Sequence, residues 1–120
     1  MNKLLIALLS LFLLNACVNS GEQSWVYMNS GVIQCESAGR TSGESAYRLT
    51  QHNISVNETL CAQLSDMTMV ARCGASTTSI HLHRIAEVDL QKAQSVGFLD
   101  VQGLKKEDDL GYQIHTCRVR

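Results

Sequence analysis

Residues 79–98 read SIHLHRIAEVDLQKAQSVGF, and the change of period inside this stretch decides the fold class. From Ser79 to Ile85 apolar and polar side chains alternate. A strand with that pattern carries Ile80 and Leu82 on one face and His81 and His83 on the other. The period then becomes helical, which predicts a helix from Glu87 to Val96. Glu87 and Asp89 fall in its first turn, where the helix dipole favours acids. Leu90 and Ala93 face inward, Gly97 is the expected left-handed stop, and Phe98 folds back toward Ala93. The same order occurs upstream. Thr41-Ser42-Gly43-Glu44 has the hydroxyl and acid of a capping box. Ala46, Tyr47 and Leu49 follow as an inward face, Asn53 as the stop, and Ile54 as the apolar restart. Two such units predict an α+β fold with a ferredoxin-like β-α-β-β-α-β arrangement, two helices packed on one face of a small antiparallel sheet.

The remaining segments fill in this plan. The domain is expected to begin at Trp25-Val26-Tyr27-Met28, with Trp25 and Tyr27 packed at the edge of the core. A short strand is expected over Gly31–Cys35, and Ile54–Cys61 alternates as a half-buried strand. Met67–Arg72 reads as a further strand and Gly74–Thr78 as a turn. Leu104–Leu110 (LKKEDDL) is a solvated charge run. Tyr112, Ile114 and Thr116 alternate as a possible extra C-terminal strand ending at Cys117.

The N-terminal end addresses the protein to a membrane. Lys3 precedes an uncharged apolar run, Leu4–Leu14, and Ala16 stands directly before Cys17. The run is too short to cross roughly 30 Å of hydrocarbon as a helix, so it reads as a signal segment. Leu14-Asn15-Ala16-Cys17 resembles the lipobox of bacterial lipoproteins. That resemblance implies lipidation of Cys17 and cleavage after Ala16. The expected organisation is therefore residues 1–16 as signal peptide, 17–24 as lipidated cysteine and tether, and 25–120 as one domain. Val18, in the position after the cysteine, favours the outer membrane by the same resemblance, with the domain on the periplasmic side. The whole chain has a formal net charge of −1 and no basic stripe. Nucleic acid is thereby excluded as a partner, because phosphate neutralisation requires clustered Lys and Arg.

With Cys17 lipidated, Cys35, Cys61, Cys73 and Cys117 remain. An even number in a small exported chain points to structural disulfides. Spacing leaves three pairings open. In a ferredoxin-like sheet the first and last strands are neighbours, which favours Cys35–Cys117 and Cys61–Cys73. Gln34-Cys35-Glu36, Glu44, Asn53-Ile54-Ser55-Val56, Cys61, Cys73-Gly74-Ala75, Leu90, Ala93 and Gly97-Phe98 resemble a family of small uncharacterised proteobacterial lipoproteins over about residues 31–101. The resemblance supports the domain boundaries and the structural cysteines and implies no activity. Gln34-Cys35 and Cys117 are also similar to positions in lysozyme-inhibitor lipoproteins. Those are all-β and carry a Ser-Gly-x-Arg-Tyr loop, to which Ser37-Ala38-Gly39-Arg40 corresponds poorly.

Few residues suggest chemistry. His81 and His83 share a strand face and His115 has the parity to join them, so these three are the candidates for metal ligation. The simpler expectation places them on an open polar sheet face, with no metal and no cofactor. No serine stands in a nucleophile-elbow motif. Gly39 and Gly43 flank Arg40-Thr41-Ser42 at a helix start, where exposed amides can meet an anion, although a turn and cap explain the same residues. Glu107, Asp108 and Asp109 are expected to face water. The sequence thus predicts a non-enzymatic binding or accessory module of the cell envelope, held by Cys17, with an envelope protein as partner. A cell-wall-hydrolase inhibitor is the alternative.

Overall fold

The computed structural model describes residues 21–65 and 71–118. The signal segment, Cys17, most of the tether and Met67–Val70 of the expected strand lie outside the described residues. Five strands form one antiparallel sheet: β1 (Gln23–Asn29), β2 (Glu58–Leu64), β3 (Ser79–Ala86), β4 (Leu99–Asp100) and β5 (Tyr112–His115). Their spatial order is β4-β1-β3-β2-β5. Helix α1 (Ser42–Thr50) connects β1 to β2, and a 3-10 turn (Glu87–Asp89) followed by α2 (Leu90–Ser95) connects β3 to β4. A second 3-10 turn, Val101–Leu104, leads toward β5. The expected α+β class is observed, and the extra C-terminal strand is present.

β3 lies at the centre, paired with β1 from Ile80 to Ala86 and with β2 from Ser79 to Arg84. It is buried on both faces, and that decides which residues form the core. One face carries Val26, Ile85, Leu49 of α1, Ile54, Ala93 of α2 and Phe98 in a single cluster. The opposite face gathers Ala62, Ile80, Leu82 and Val101, with Trp25, Tyr27 and Leu60 packed against them. Both helices therefore cover one face, as expected, and the Val101–Leu104 turn shields part of the other. Each fully buried Leu, Ile or Phe side chain stabilises such a core by about 1.5–3 kcal/mol.

Both helix ends follow from local chemistry. Thr41 caps α1: its hydroxyl accepts from the Glu44 amide, and the Glu44 carboxylate accepts from the Thr41 amide at 2.7 Å. Asn53 adopts a positive φ of 61°. The Ile54 amide then donates to Leu49 O and the Asn53 amide to Thr50 O, the two bonds of a Schellman motif. Gly97, at φ 103°, repeats it: Phe98 N–H meets Ala93 O and Gly97 N–H meets Gln94 O. In both cases the residue after the stop, Ile54 or Phe98, is buried.

Six expectations need correction. Tyr47, expected on the inward face of α1, is 62% exposed, and that face is formed by Ser45 and Leu49. The strand expected over Ile54–Cys61 begins only at Glu58 and runs to Leu64, because Ile54 is still completing the turn after α1. Residues 31–35 form no strand; Ile33 makes isolated bridges to Ser37 and Ser76 while Gln34, Cys35 and Glu36 turn. The expected helix over 87–96 is shorter, because its first three residues are 3-10 and Val88 is 90% exposed. His81 and His83 do not decorate an open face; they are 6% and 0% exposed. Alternation placed them correctly opposite Ile80 and Leu82, but Val26 and Ile85 make their face the one the helices cover.

The disulfides also pair differently. Cys35 joins Cys73 and Cys61 joins Cys117, with Cα separations of 5.0 and 5.1 Å. The expected Cys35–Cys117 pairing assumed that Cys117 follows the strand beside β1. That place belongs to β4, whose Leu99 pairs with Tyr27. Cys117 follows β5, which lies at the other edge, where His115 is the partner of Cys61. Non-reducing peptide mapping should return Cys35–Cys73 and Cys61–Cys117 linked peptides. The closed loops have similar sequence separations, 38 and 56. Replacing either pair by serine should therefore cost a similar amount, about 4 kcal/mol in the chain-entropy model, measurable by urea unfolding.

Candidate functional site

A cleft of about 620 Å³ opens on the helix-covered side of the sheet, beyond the N-terminus of α1. This is within the usual size range of small-ligand sites, roughly 300–1,000 Å³. Its floor is the end of the sheet: Ser79 and His81 of β3, Cys61 and Gln63 of β2, and His115 of β5. One wall is the 30–42 segment, through Ser30, Val32, Arg40 and the start of α1 at Thr41 and Ser42. Thr77 and Arg118 complete the lining. No Asp or Glu lines the cleft among the described residues.

Backbone chemistry holds this wall in shape. The Asn29 carboxamide oxygen accepts from Gly31 N–H at 2.7 Å and its amide donates to Thr77 O at 3.1 Å. Arg40 is tied down twice, its peptide N–H to Ser30 O and its guanidinium Nη1 to Asn29 O, each at 2.8 Å. Gly39 makes this crossing possible. It has a φ of 69°, and a side chain there would strike the Ser30 carbonyl and the Val32 amide. The two disulfides brace opposite sides. Cys35–Cys73 couples the 31–40 segment to the 71–78 segment, while Cys61–Cys117 fixes the chain immediately before Arg118. The strand ladder also orients the cleft. Gln23 pairs with Ala86 at one end of β1 and Asn29 with Ile80 at the other. At about 3.3 Å per residue, the cleft lies some 20 Å along β1 from the point where the tether enters.

The candidate metal ligands are not brought together. His115 and His81 line the cleft, but His83 lies deeper, under α1. Its Nε2 is 2.8 Å from Ser45 Oγ and its Nδ1 is 2.9 Å from Thr59 Oγ1. The Phe98 ring meets it edge-on, with centroids 5.8 Å apart. Either neutral tautomer satisfies both hydroxyls, since each hydroxyl can donate or accept. Among the described residues no group of three or more His, Cys, Asp or Glu can hold a metal ion. The Arg40-Thr41-Ser42 segment, by contrast, stands in the cleft wall. In the charge run, Asp109 accepts from the Gly111 amide at 2.9 Å and closes a turn with Lys106.

Ser45, His83 and Thr59 have the composition of a nucleophile and base, but Ser45 and His83 are 0% exposed and no substrate can reach them. Burial, and secondarily the charge of His81, lowers the His83 pKa to about 4. The ring is therefore neutral at pH 7, and the array joins α1, β3 and β2 by hydrogen bonds. Sequence reasoning missed it, although Ser45 stands one turn before Leu49 on the inward side of a helix. It also missed Ser30 and Arg118, which belong to no motif. No family model, curated protein or solved structure is significantly similar to the chain.

The His83 environment sets a pH dependence. The unfolded chain, with an ordinary histidine pKa near 6.5, takes up this proton first as the pH falls. The stabilisation is complete above about pH 6.5 and is lost progressively toward pH 4, by about 3 kcal/mol. Urea unfolding across this range should show the loss, and His83→Gln, which cannot titrate, should flatten that part of the profile.

Proposed function

We propose that this protein is a lipid-anchored binding module of the bacterial envelope, attached through Cys17 at the outer membrane and facing the periplasm. The observation that carries the reading is the position of the cleft, at the end of the sheet away from the tether. An anchor at Cys17 would hold the tether end near the bilayer and leave the cleft open to the periplasm. Three further features support it. Two disulfides suit an oxidising compartment. The sequence ahead of Cys17 has the pattern of a lipoprotein signal. The buried Ser45–His83 pair offers no accessible nucleophile, so the proposed role is recognition, not catalysis. The α+β fold gives no support to the hydrolase-inhibitor alternative, whose resemblance was to all-β proteins.

Two measurements test this. Expressed in a Gram-negative host, the chain should incorporate labelled fatty acid and sediment with outer membrane, and Cys17→Ser should abolish the labelling. A photo-crosslinking residue at Thr77, on the cleft lining, should capture an envelope component that the same residue at Tyr47, exposed on α1, does not. Labelling that survives Cys17→Ser would overturn the anchor, and identical capture from both positions would overturn the cleft as the binding surface.

A further inference from the structure

We infer that the cleft binds a small ligand through an oxyanion group, a phosphate or carboxylate, with Arg40 and Arg118 as its charge partners. This rests on the reading of the domain as a binding module and names the ligand chemistry of the same site. Three observations converge. First, the lining carries two arginines and no carboxylate among the described residues, in a chain whose formal net charge is −1. Acids collect elsewhere. Glu22 and Glu87 lie at the tether end, where the Glu87 pKa is raised first by the hydrogen bond its protonated carboxyl donates to Glu22 and then by the negative charge of Glu22. With two arginines and no carboxylate on its lining among the described residues, the cleft itself concentrates positive potential.

Second, Arg40 is prepositioned. The Arg40 guanidinium donates one bond to Asn29 O, which fixes its place while its fork has further donors to offer a planar or tetrahedral oxyanion. Thr41 and Ser42 bring the first turn of the nine-residue α1 to the same wall, where the helix dipole favours negative charge. The Glu44 carboxylate is held on the Thr41 amide and does not line the cleft.

Third, Ser30 continues the alternation of Val26 and Met28 onto this face of the sheet and lines the cleft. It is 2% exposed, and its hydroxyl has no hydrogen-bond partner among the described residues. A buried hydroxyl without a partner destabilises the free protein, and a bound oxyanion would complete it. The surrounding hydroxyls of Thr77 and Ser79 suit a ligand that is itself hydroxylated.

The full chain in neutral detergent, titrated with inorganic phosphate and with glycerol 3-phosphate, tests the proposal by NMR and thermal unfolding. Both should shift the amide resonances of Ser30, Arg40, Ser42 and Ser79 saturably, and sodium chloride at equal ionic strength should not. Arg118→Gln, at an exposed position, should raise the Kd about tenfold, the loss expected for one charge-assisted bond. Ser30→Ala should weaken binding severalfold and yet raise the melting temperature of the free protein. Equal shifts with chloride, or an unchanged Kd in Arg118→Gln, would overturn the oxyanion site. A lower melting temperature in Ser30→Ala would overturn the assignment of Ser30 to it. Binding to phosphatidylglycerol vesicles but to neither soluble phosphate would replace the small ligand with a membrane surface. Loss of the lipid anchor would leave all these titrations intact, so failure of that reading is separately visible.

Discussion

The structure depends on burying β3 on both of its faces. A strand between two neighbours, with helices above and a 3-10 turn below, has little room for polar groups, yet β3 carries His81 and His83. His83 is accommodated because both ring nitrogens find hydroxyls, Ser45 from α1 and Thr59 from β2. A buried imidazole without those partners would be destabilising. The three hydrogen-bonding residues thus hold the helix at a defined place on the sheet, where packing of Leu49, Ile54 and Phe98 alone would permit sliding. The position of α1 determines where its N-terminus, and with it Arg40 and Ser42, reach the end of the sheet.

The disulfides act on a different part of the molecule. Neither bridges the main apolar cluster around Leu49 and Phe98. One ties together the two loops beside β1 and β3, and the other ties β2 to the residues after β5. The first bridge joins segments with little apolar burial, for Cys35, Glu36, Cys73 and Gly74 are all exposed, and the second fastens the exposed chain end after β5 to the buried Cys61. Covalent closure supplies the order that a small domain's core does not extend to its periphery. Both bridges flank the cleft, so the least self-sufficient part of the fold is also the part that is stapled. A rigid cleft reduces the entropy lost when a ligand binds.

The two crossovers end in the same Schellman geometry, although one stop residue is Asn53 and the other Gly97. Each turns the chain so that the following large apolar residue enters the core. Asparagine tolerates this conformation because its short polar side chain is compatible with left-handed backbone. The α2 crossover has less helix to work with and begins in 3-10 form.

Local signals determined a good deal of this protein. The capping box at Thr41 and the stops at Asn53 and Gly97 depend on contacts within a few residues, and the alternation of Ser79–Ile85 and of the strand before Cys117 is a pattern of neighbouring side chains. Each was legible for that reason, and together they implied two helices on one antiparallel sheet. Tertiary structure decided the rest. Alternation separates two strand faces but does not say which will be covered, so the burial of His81 and His83 was invisible until Val26, Ile85 and the helices were placed. Disulfide pairing follows strand order, and the two-residue β4 beside β1 was too short to announce itself. The cleft is assembled from segments as distant as Ser30, Thr77 and Arg118, whose proximity no periodicity encodes. Short-range geometry is written in neighbouring residues; a site built across the sheet exists only once the chain has closed on itself.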